Sequence, residues 1–299
     1  MPLLLSISGI FRMFLLCMTI KEVLQIGKIF AKEKIDDLAL EILLAHTLHK
    51  NKEYLFAHLD DDVSHDNIEY YTNLVKRHFD GEPVAYITGE KEFYGKKLFV
   101  DDRVLIPRPE TEYLVDKTAL LLKHQGANSR SRVLDMGTGS GNIAIAIAGI
   151  VPNVHVTACD ISEDALAVAK KNIKRYNLEG VVSLIHSDLL QNIKEEPYDV
   201  IVANLPYIGM ETNNFVANET KNYEPHTALF GGKDGLALYE EFFTQLCCWQ
   251  NKPNYIVGEI GFLQAKSIGA IVNQFFPESV LSIEKDLTGL DRYFLINLL

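Results

Sequence analysis

The sequence predicts an α/β fold, a mostly parallel sheet of seven strands preceded by a small helical domain. Three observations predict it. From Arg132 to the C-terminus, short β-branched runs alternate with stretches of helical composition, the pattern of an open parallel sheet covered by helices on both faces. At the head of that region an apolar run ends in Asp135 and in glycines at 137, 139 and 141, and an alanine/isoleucine run over 143–150 follows. That is a buried strand, a tight turn with bare backbone and a helix start. Before residue 82 the spacing is helical throughout, and Gly81-Glu82-Pro83 interrupts it.

At 299 residues the chain can bury the core of one large and one small domain. A net charge of -11 argues against a protein whose main task is gripping phosphate backbones. Cys17, Cys159, Cys247 and Cys248 have neither disulfide-framework nor zinc spacing and fit the reduced thiols of a cytosol. A cytoplasmic monomer without a metal is expected. Residues 1–17 are mostly apolar but lack a basic leader and a small-residue cleavage site, and their apolar run is too short for a bilayer. They are expected to be an extension ahead of the fold, with no membrane role.

The helical domain is expected over residues 18–82. Thr19 and Glu22 have capping-box spacing, and Val23, Ile26 and Phe30, then Leu38, Ile42 and Ala45, then Ile68, Tyr71 and Val75 mark three buried faces. His46 and His49 lack further ligands at metal spacing and are packing or surface residues. Residues 83–105 read as a β-hairpin linker, with strands at 85–89 and 92–100 around Gly95. Pro107 and Pro109 bracket Arg108 and hold the chain extended, and Thr111 is placed to cap a helix through Leu122.

The third domain, 106–299, carries strands at 133–136, 154–160, 181–186, 199–204, 255–260, 280–285 and 293–297. Helices fall at 142–150, 163–176, 236–250 and 262–276. Residues 208–232 show no periodicity and read as a long loop, of the kind that clamps substrates. Cys247-Cys248-Trp249 reads as packing.

Ligands of such sheets bind beyond the carboxyl ends of the strands, and there the sequence is polar. The turn Gly137-Thr138-Gly139-Ser140-Gly141 lacks the third glycine of the dinucleotide fingerprint, which disfavours a nicotinamide oxidoreductase. Asp135 is placed to pair with an ammonium group, Asp160 to accept two ribose hydroxyls, and Asp188 with Leu189 to bound an adenine. This acidic set suits S-adenosylmethionine better than a phosphate-bearing cofactor. Asn204-Leu205-Pro206-Tyr207 ends another strand. The Asn204 side-chain oxygen and the Leu205 carbonyl can each accept an N–H of a planar nitrogen, Pro206 stiffens the loop, and Tyr207 offers a ring for stacking. Such a nitrogen is a weak nucleophile, so orientation is what a methylating site must supply. Glu224 faces the same rim if the loop over 208–232 folds back, and Arg108, Glu110 and Glu224 are expected to bind the substrate.

These pieces resemble the peptide chain release factor N(5)-glutamine methyltransferase family, which modifies the Gly-Gly-Gln glutamine of class-1 release factors. The resemblance rests on Gly81-Glu82-Pro83-Val84-Ala85-Tyr86-Ile87-Thr88-Gly89, Ile106 to Glu112, Asp135 to Gly141, Asn204 to Tyr207, and Tyr223-Glu224-Pro225, in the family's order from about Met18 onward. It implies a Rossmann-like class I S-adenosylmethionine-dependent methyltransferase domain behind a helical substrate-recognition domain. It also implies that Gly137 to Gly141, Asp160, Leu189 and Asn204 contact the cofactor, and that Asn204 to Tyr207 cradle the glutamine amide of a release factor. No direct nucleic-acid binding is implied. The family's usual Asn-Pro-Pro-Tyr is Asn-Leu-Pro-Tyr here, a form also found in ribosomal RNA adenine dimethyltransferases. Adenine-N6 methylation of RNA is therefore the alternative, with a non-catalytic module that binds translation factors as a second.

Overall fold

The structure, a computed structural model, describes residues 18–31, 36–123, 130–209 and 218–299. The extension expected over 1–17 lies outside the described residues. The chain divides into two compact units between Thr88 and Gly89.

The first unit is β1 (Met18–Thr19), α1 (Ile20–Ala31), α2 (Asp37–Thr47), α3 (Lys52–Ala57), β2 (Asp62–Val63), α4 (His65–Phe79) and α5 (Val84–Thr88). At the start of α1 the Glu22 carboxylate accepts the Thr19 N–H at 2.9 Å, and the Thr19 hydroxyl accepts the Glu22 N–H at 3.3 Å, a reciprocal cap. Asp36, Asn51 and Ser64 cap the next three long elements with side-chain oxygens. The core joins Leu40, Leu43 and Leu44 to Ile68, Tyr71 and Val75. Of the face expected on α2, Ala45 is buried, Ile42 half-buried and Leu38 exposed, and Ala39, Leu40, Leu43 and Leu44 supply most of the buried side. Residues 38–44 are apolar at all but one position, so periodicity alone cannot select a side.

Residues 85–89 are not a strand. The Pro83 carbonyl accepts the Tyr86 and Ile87 N–H groups at 3.0 and 3.1 Å, and the resulting turn of α5 buries Ile87 in the helical core. Over five residues, strand and helix spacings of apolar side chains coincide, and burial of Ile87 decides between them. The hairpin expected over 83–105 is thus confined to β3 (Glu90–Phe93) and β4 (Lys96–Phe99), which pair antiparallel across Tyr94-Gly95.

The rest of the second unit runs α6 (Glu112–Lys123), β5 (Ser131–Met136), α7 (Asn142–Ile150), β6 (Val154–Asp160), α8 (Glu163–Arg175), β7 (Val182–His186) and β8 (Val200–Ala203). It continues with α9 (Asn218–Tyr223), α10 (His226–Leu229), α11 (Ala237–Cys247), β9 (Tyr255–Glu259), α12 (Ala265–Phe275), β10 (Val280–Lys285) and β11 (Asp291–Asn297). The sheet order is β10-β11-β9-β8-β5-β6-β7, and β11 alone runs against the others. Every residue of β8 is buried, as a central strand covered on both faces requires. One core holds Phe242, Phe243 and Ile268 against one face of the sheet, and a second holds Leu114, Ile143 and Ile147 against the other. The stretch 208–232, read as a loop, contains α9 and α10. Cys247 and Cys248 are exposed, while Trp249 stacks on Tyr198. No described helix is long and apolar enough to cross a membrane.

The chain leaves β5 toward β6 and β7, then returns to the other side of β5 as β8. Strand order therefore reverses between β5 and β8, where a crevice opens beyond the strand ends. Met136 pairs with Ala203, and Ala203 with Gly258. The register thus delivers Gly137, Asn204 and Glu259 side by side.

Candidate functional site

Two cavities adjoin at this rim. The first, about 330 Å³, is lined by Gly137 to Ser140, Asp160, Asp188, Leu189, Asn204, Arg108 and Thr111. The second, about 320 Å³, is lined by Tyr207, Ile208, Phe262, Leu263, Gln264 and Arg292. Asn204, Leu205 and Pro206 belong to both walls.

The glycine turn is built by strand ends. The Cys159 carbonyl accepts the Gly137 and Thr138 N–H groups, both at 2.9 Å. Gly137, Gly139 and Gly141 have φ of 71°, 53° and 80°, left-handed values that favour glycine. Their surroundings differ. A Cβ on Gly137 would press on the Leu205 side chain at 3.3 Å, one on Gly139 would meet nothing, and one on Gly141 would press on Ile145 and Ala169. Gly139 therefore faces open space, whereas Gly141 brings α7 and α8 close together and does not line the cavity. The buried Asn172 braces the turn from α8. Its Nδ2 donates to the Ser140 and Phe99 carbonyls, and its Oδ1 accepts the Phe99 N–H at 2.7 Å.

Asp135 is not on the cavity wall, and this corrects the expectation that it meets an ammonium group. It is wholly buried. Its Oδ2 accepts the Thr138 hydroxyl at 2.7 Å and the Ala144 N–H at 3.1 Å. The N-cap residue of α7 is Gly141, which has no side chain with which to cap it. Asp135 supplies that cap from the neighbouring strand. Its Oδ1 has no partner among the described residues, and burial pushes the carboxyl up to about 7.

Asp160 is half-buried at the end of β6. One oxygen accepts the Gly139 N–H at 2.9 Å and the other the Ser162 N–H at 2.9 Å. With room for about four hydrogen bonds, the carboxylate keeps acceptor capacity for a ligand hydroxyl. Burial pushes this carboxyl up, and the backbone N–H groups oppose the shift. Asp188 is exposed, while buried Leu189 sits at φ 50°, strained for a leucine. The Leu189 carbonyl is held there by the Ser187 hydroxyl at 2.8 Å. An adenosine fits this wall: a carboxylate for vicinal hydroxyls, an apolar side chain for a base, and bare backbone where the two join. The residues present thus suit S-adenosylmethionine, apart from Asp135.

Glu224 and Glu110 do not line either cavity. Glu110 is exposed, and its carbonyl accepts the Tyr293 hydroxyl. Glu224 is only 4% exposed; it binds Arg108 Nη2 at 2.5 Å and the Ile106 N–H at 3.0 Å. It lies beyond α9, so it fastens the segment carrying Pro225, Thr227 and Phe230 to the segment carrying Arg108, and both segments wall the first cavity. Glu224→Gln keeps the shape and leaves the Arg108 charge unpaired. Calorimetric titration with S-adenosylhomocysteine is expected to give a Kd about tenfold higher, a loss of about 1.4 kcal/mol. An unchanged Kd would separate the fastening from cofactor binding.

Beneath Asn204 lies a group that the sequence reading missed. Glu259, at the end of β9, is 1% exposed. Its Oε1 accepts the Tyr207 hydroxyl and its Oε2 the Thr111 hydroxyl, both at 2.8 Å. Thr111 therefore does not cap α6; Pro109–Thr111 form a 3-10 turn that leads into it, and the hydroxyl points inward. Asn204 Nδ2 donates to the Thr111 oxygen at 3.2 Å. Burial pushes the Glu259 carboxyl up, against the two hydroxyl bonds and the Arg292 guanidinium. A carboxylate closing an otherwise apolar strand was the available signal, the same one that marked Asp160.

The profile of the PrmC N-terminal domain matches residues 22–89, and that of the methyltransferase small domain matches residues 112–223. The release factor glutamine methyltransferase of Bacillus anthracis is 34% identical over 278 residues, 92% of this chain and 98% of that one. The chain belongs to the release factor glutamine methyltransferase family. The family member from Koribacter versatilis is 37% identical over 85% of this chain and 89% of its own. The bifunctional methyltransferase of Rickettsia conorii is 36% identical over 87% of this chain, which spans about half of that longer protein (53%). Among solved structures, the N-terminal domain of human METTL16 in complex with SAH aligns at a TM-score of 0.52 and 14% identity, over 86% of this chain and 94% of that one. That likeness is one of fold.

Proposed function

We propose that this chain methylates the side-chain amide nitrogen of the glutamine in the Gly-Gly-Gln motif of class-1 release factors, with S-adenosylmethionine as methyl donor. The observation that carries the reading is the shared wall: Asn204, Leu205 and Pro206 line both cavities. Leu105, Arg108 and Ala228 also border both, but of the shared residues Asn204 and Leu205 bring the acceptors that an amide held between a cofactor in the first and a backbone in the second would need. Family membership supports the choice of substrate, and the helical unit that matches the PrmC N-terminal domain is assigned to recognition of the factor.

Gly137 to Ser140, Asp160 and Leu189 would hold the cofactor, which when bound supplies a sulfonium methyl. Asn204 Oδ1 and the Leu205 carbonyl accept the two amide N–H groups and so aim the nitrogen lone pair along the transfer direction. The nitrogen turns acidic as it bonds to carbon, and one of the two N–H protons held by these oxygens then leaves to solvent water, since neither oxygen is basic enough to keep it. Tyr207, tied to Glu259, forms the wall on which the flat amide lies. The acceptors are neutral, so they hold the neutral amide before transfer and its positive charge during it.

The test is methyl transfer from labelled S-adenosylmethionine to a release factor, to that factor with its Gly-Gly-Gln glutamine changed to alanine, and to ribosomal RNA. Label is expected on the intact factor alone. Label on the RNA, or equal label on both factors, would overturn the assignment.

A further inference from the structure

We infer that Thr111 and Glu259 are positioning residues that make the site selective for a carboxamide, by fixing which end of the Asn204 side chain faces the substrate. The inference rests on the amide-methylation reading above and adds to it the origin of the amide selectivity.

An asparagine side chain has nearly the same shape in its two flipped orientations, with an acceptor at one end and a double donor at the other. Only one of them serves. With Oδ1 toward the junction of the cavities, Asn204 accepts a substrate N–H. With Nδ2 there, donor faces donor, and a carboxylate would be favoured over an amide. The shape of the pocket cannot choose, so a hydrogen-bond partner has to.

The choice comes from a chain of committed protons. Glu259 receives one hydroxyl at each oxygen, from Tyr207 and from Thr111. As a carboxylate Glu259 has no hydrogen to give, so both hydroxyls must donate to it, and the two hydroxyls with the Arg292 guanidinium favour that ionised form. A threonine hydroxyl has one hydrogen. Once that hydrogen is given to Glu259, Thr111 can only accept, and what it accepts is Asn204 Nδ2 at 3.2 Å. The amide oxygen must then point away from Thr111. Thr111 and Glu259 are each 1% exposed, so water cannot substitute in the chain. The three residues lie far apart in sequence but meet because Ala203 pairs with Gly258 at the strand ends.

The experiment compares wild type, Thr111→Val and Thr111→Ser in two measurements. Valine keeps the volume and removes the hydroxyl; serine restores it. In steady-state methylation of an intact release factor, Thr111→Val is expected to lower kcat about 30-fold with KM for the factor and Kd for S-adenosylhomocysteine within threefold of wild type. Thr111→Ser is expected to keep kcat within threefold. A residue that only supports the fold would move all three parameters together. In the cofactor-free protein labelled with nitrogen-15, exchange of the Asn204 side-chain NH2 protons is expected to be at least tenfold faster in Thr111→Val than in the other two. Equal kcat in wild type and Thr111→Val, equal impairment of valine and serine variants, or equal exchange rates would each overturn the inference. A wild type that does not methylate glutamine would instead sink the amide-methylation reading, and the exchange measurement would still report whether Thr111 fixes Asn204.

Discussion

Asn204→Ala is expected to lower kcat for glutamine methylation by about 10²- to 10³-fold, the range seen when one preorganised group at a reacting centre is removed. The amide nitrogen is a poor nucleophile because its lone pair is delocalised, and the site's main contribution is to hold that lone pair on the transfer axis. In the proposed arrangement Asn204 Oδ1 is one of the two acceptors that hold the amide, so removing it would leave one substrate N–H unpaired and the amide free to rotate about the other bond. Affinity for S-adenosylhomocysteine should fall by no more than about fivefold, because Asn204 is a single residue in a wall whose other polar contacts come from Asp160 and the glycine turn. Rapid-quench methylation with cofactor and release factor both saturating checks this. A single-turnover rate near that of wild type would assign the amide to other acceptors.

The parts of this site that strands end in were legible from the sequence, because an apolar run closed by a polar residue marks a sheet rim wherever it occurs. Asp160, Asn204 and the glycine turn follow that rule, and β6, α7 and β10 occupy the residues that periodicity assigned to them. Two kinds of feature were not legible. The first is partnership across long separations. Nothing near Thr111 in the sequence announces Glu259, and the same is true of Asn172 bracing Ser140, since both pairs are created by the order of strands in the sheet. The second is the direction in which a carboxylate points. Asp135 and Asp160 both adjoin the glycine turn, but Asp135 lies within β5 and turns into the core, whereas Asp160 is the last residue of β6 and remains half-buried at the rim. Short helices such as α5 and α10 escape for a simpler reason: four or five residues contain barely one period.

Asp135 yields the second large effect, on stability. Its carboxyl is pushed up to about 7 in the fold, from 3.8 when exposed, mainly by burial. Between those values the folded chain holds a proton that the unfolded chain has lost, so stability must fall as pH rises from about 4 to about 7 and then level off. Three pH units correspond to about 4 kcal/mol, an order-of-magnitude figure for a wholly buried group. Asparagine at 135 mimics the protonated acid. One oxygen can still accept from Thr138 and Ala144, and the other end carries hydrogen where Oδ1 has no partner among the described residues. Asp135→Asn is therefore expected to match wild type only near pH 4, to lead it by about 1–2 kcal/mol at pH 5 and by the full difference at pH 8, with Tm there higher by roughly 8–16 °C for a unit of this size. A residual slope of the same sign will remain from Glu259 and Asp160, whose carboxyls are also pushed up. Asp135→Ala removes the cap of α7 and strands the Thr138 hydroxyl and the Ala144 N–H, so it should lower Tm by roughly 5–10 °C at pH 5, a loss of about 3 kcal/mol. The two variants thus move in opposite directions, each at the pH where its effect is largest. Thermal unfolding of the cofactor-free proteins at pH 5 and pH 8 measures both. An Asp135→Asn curve parallel to wild type at both pH values would place the ionised form of Asp135 in the fold and remove its share of the pH dependence.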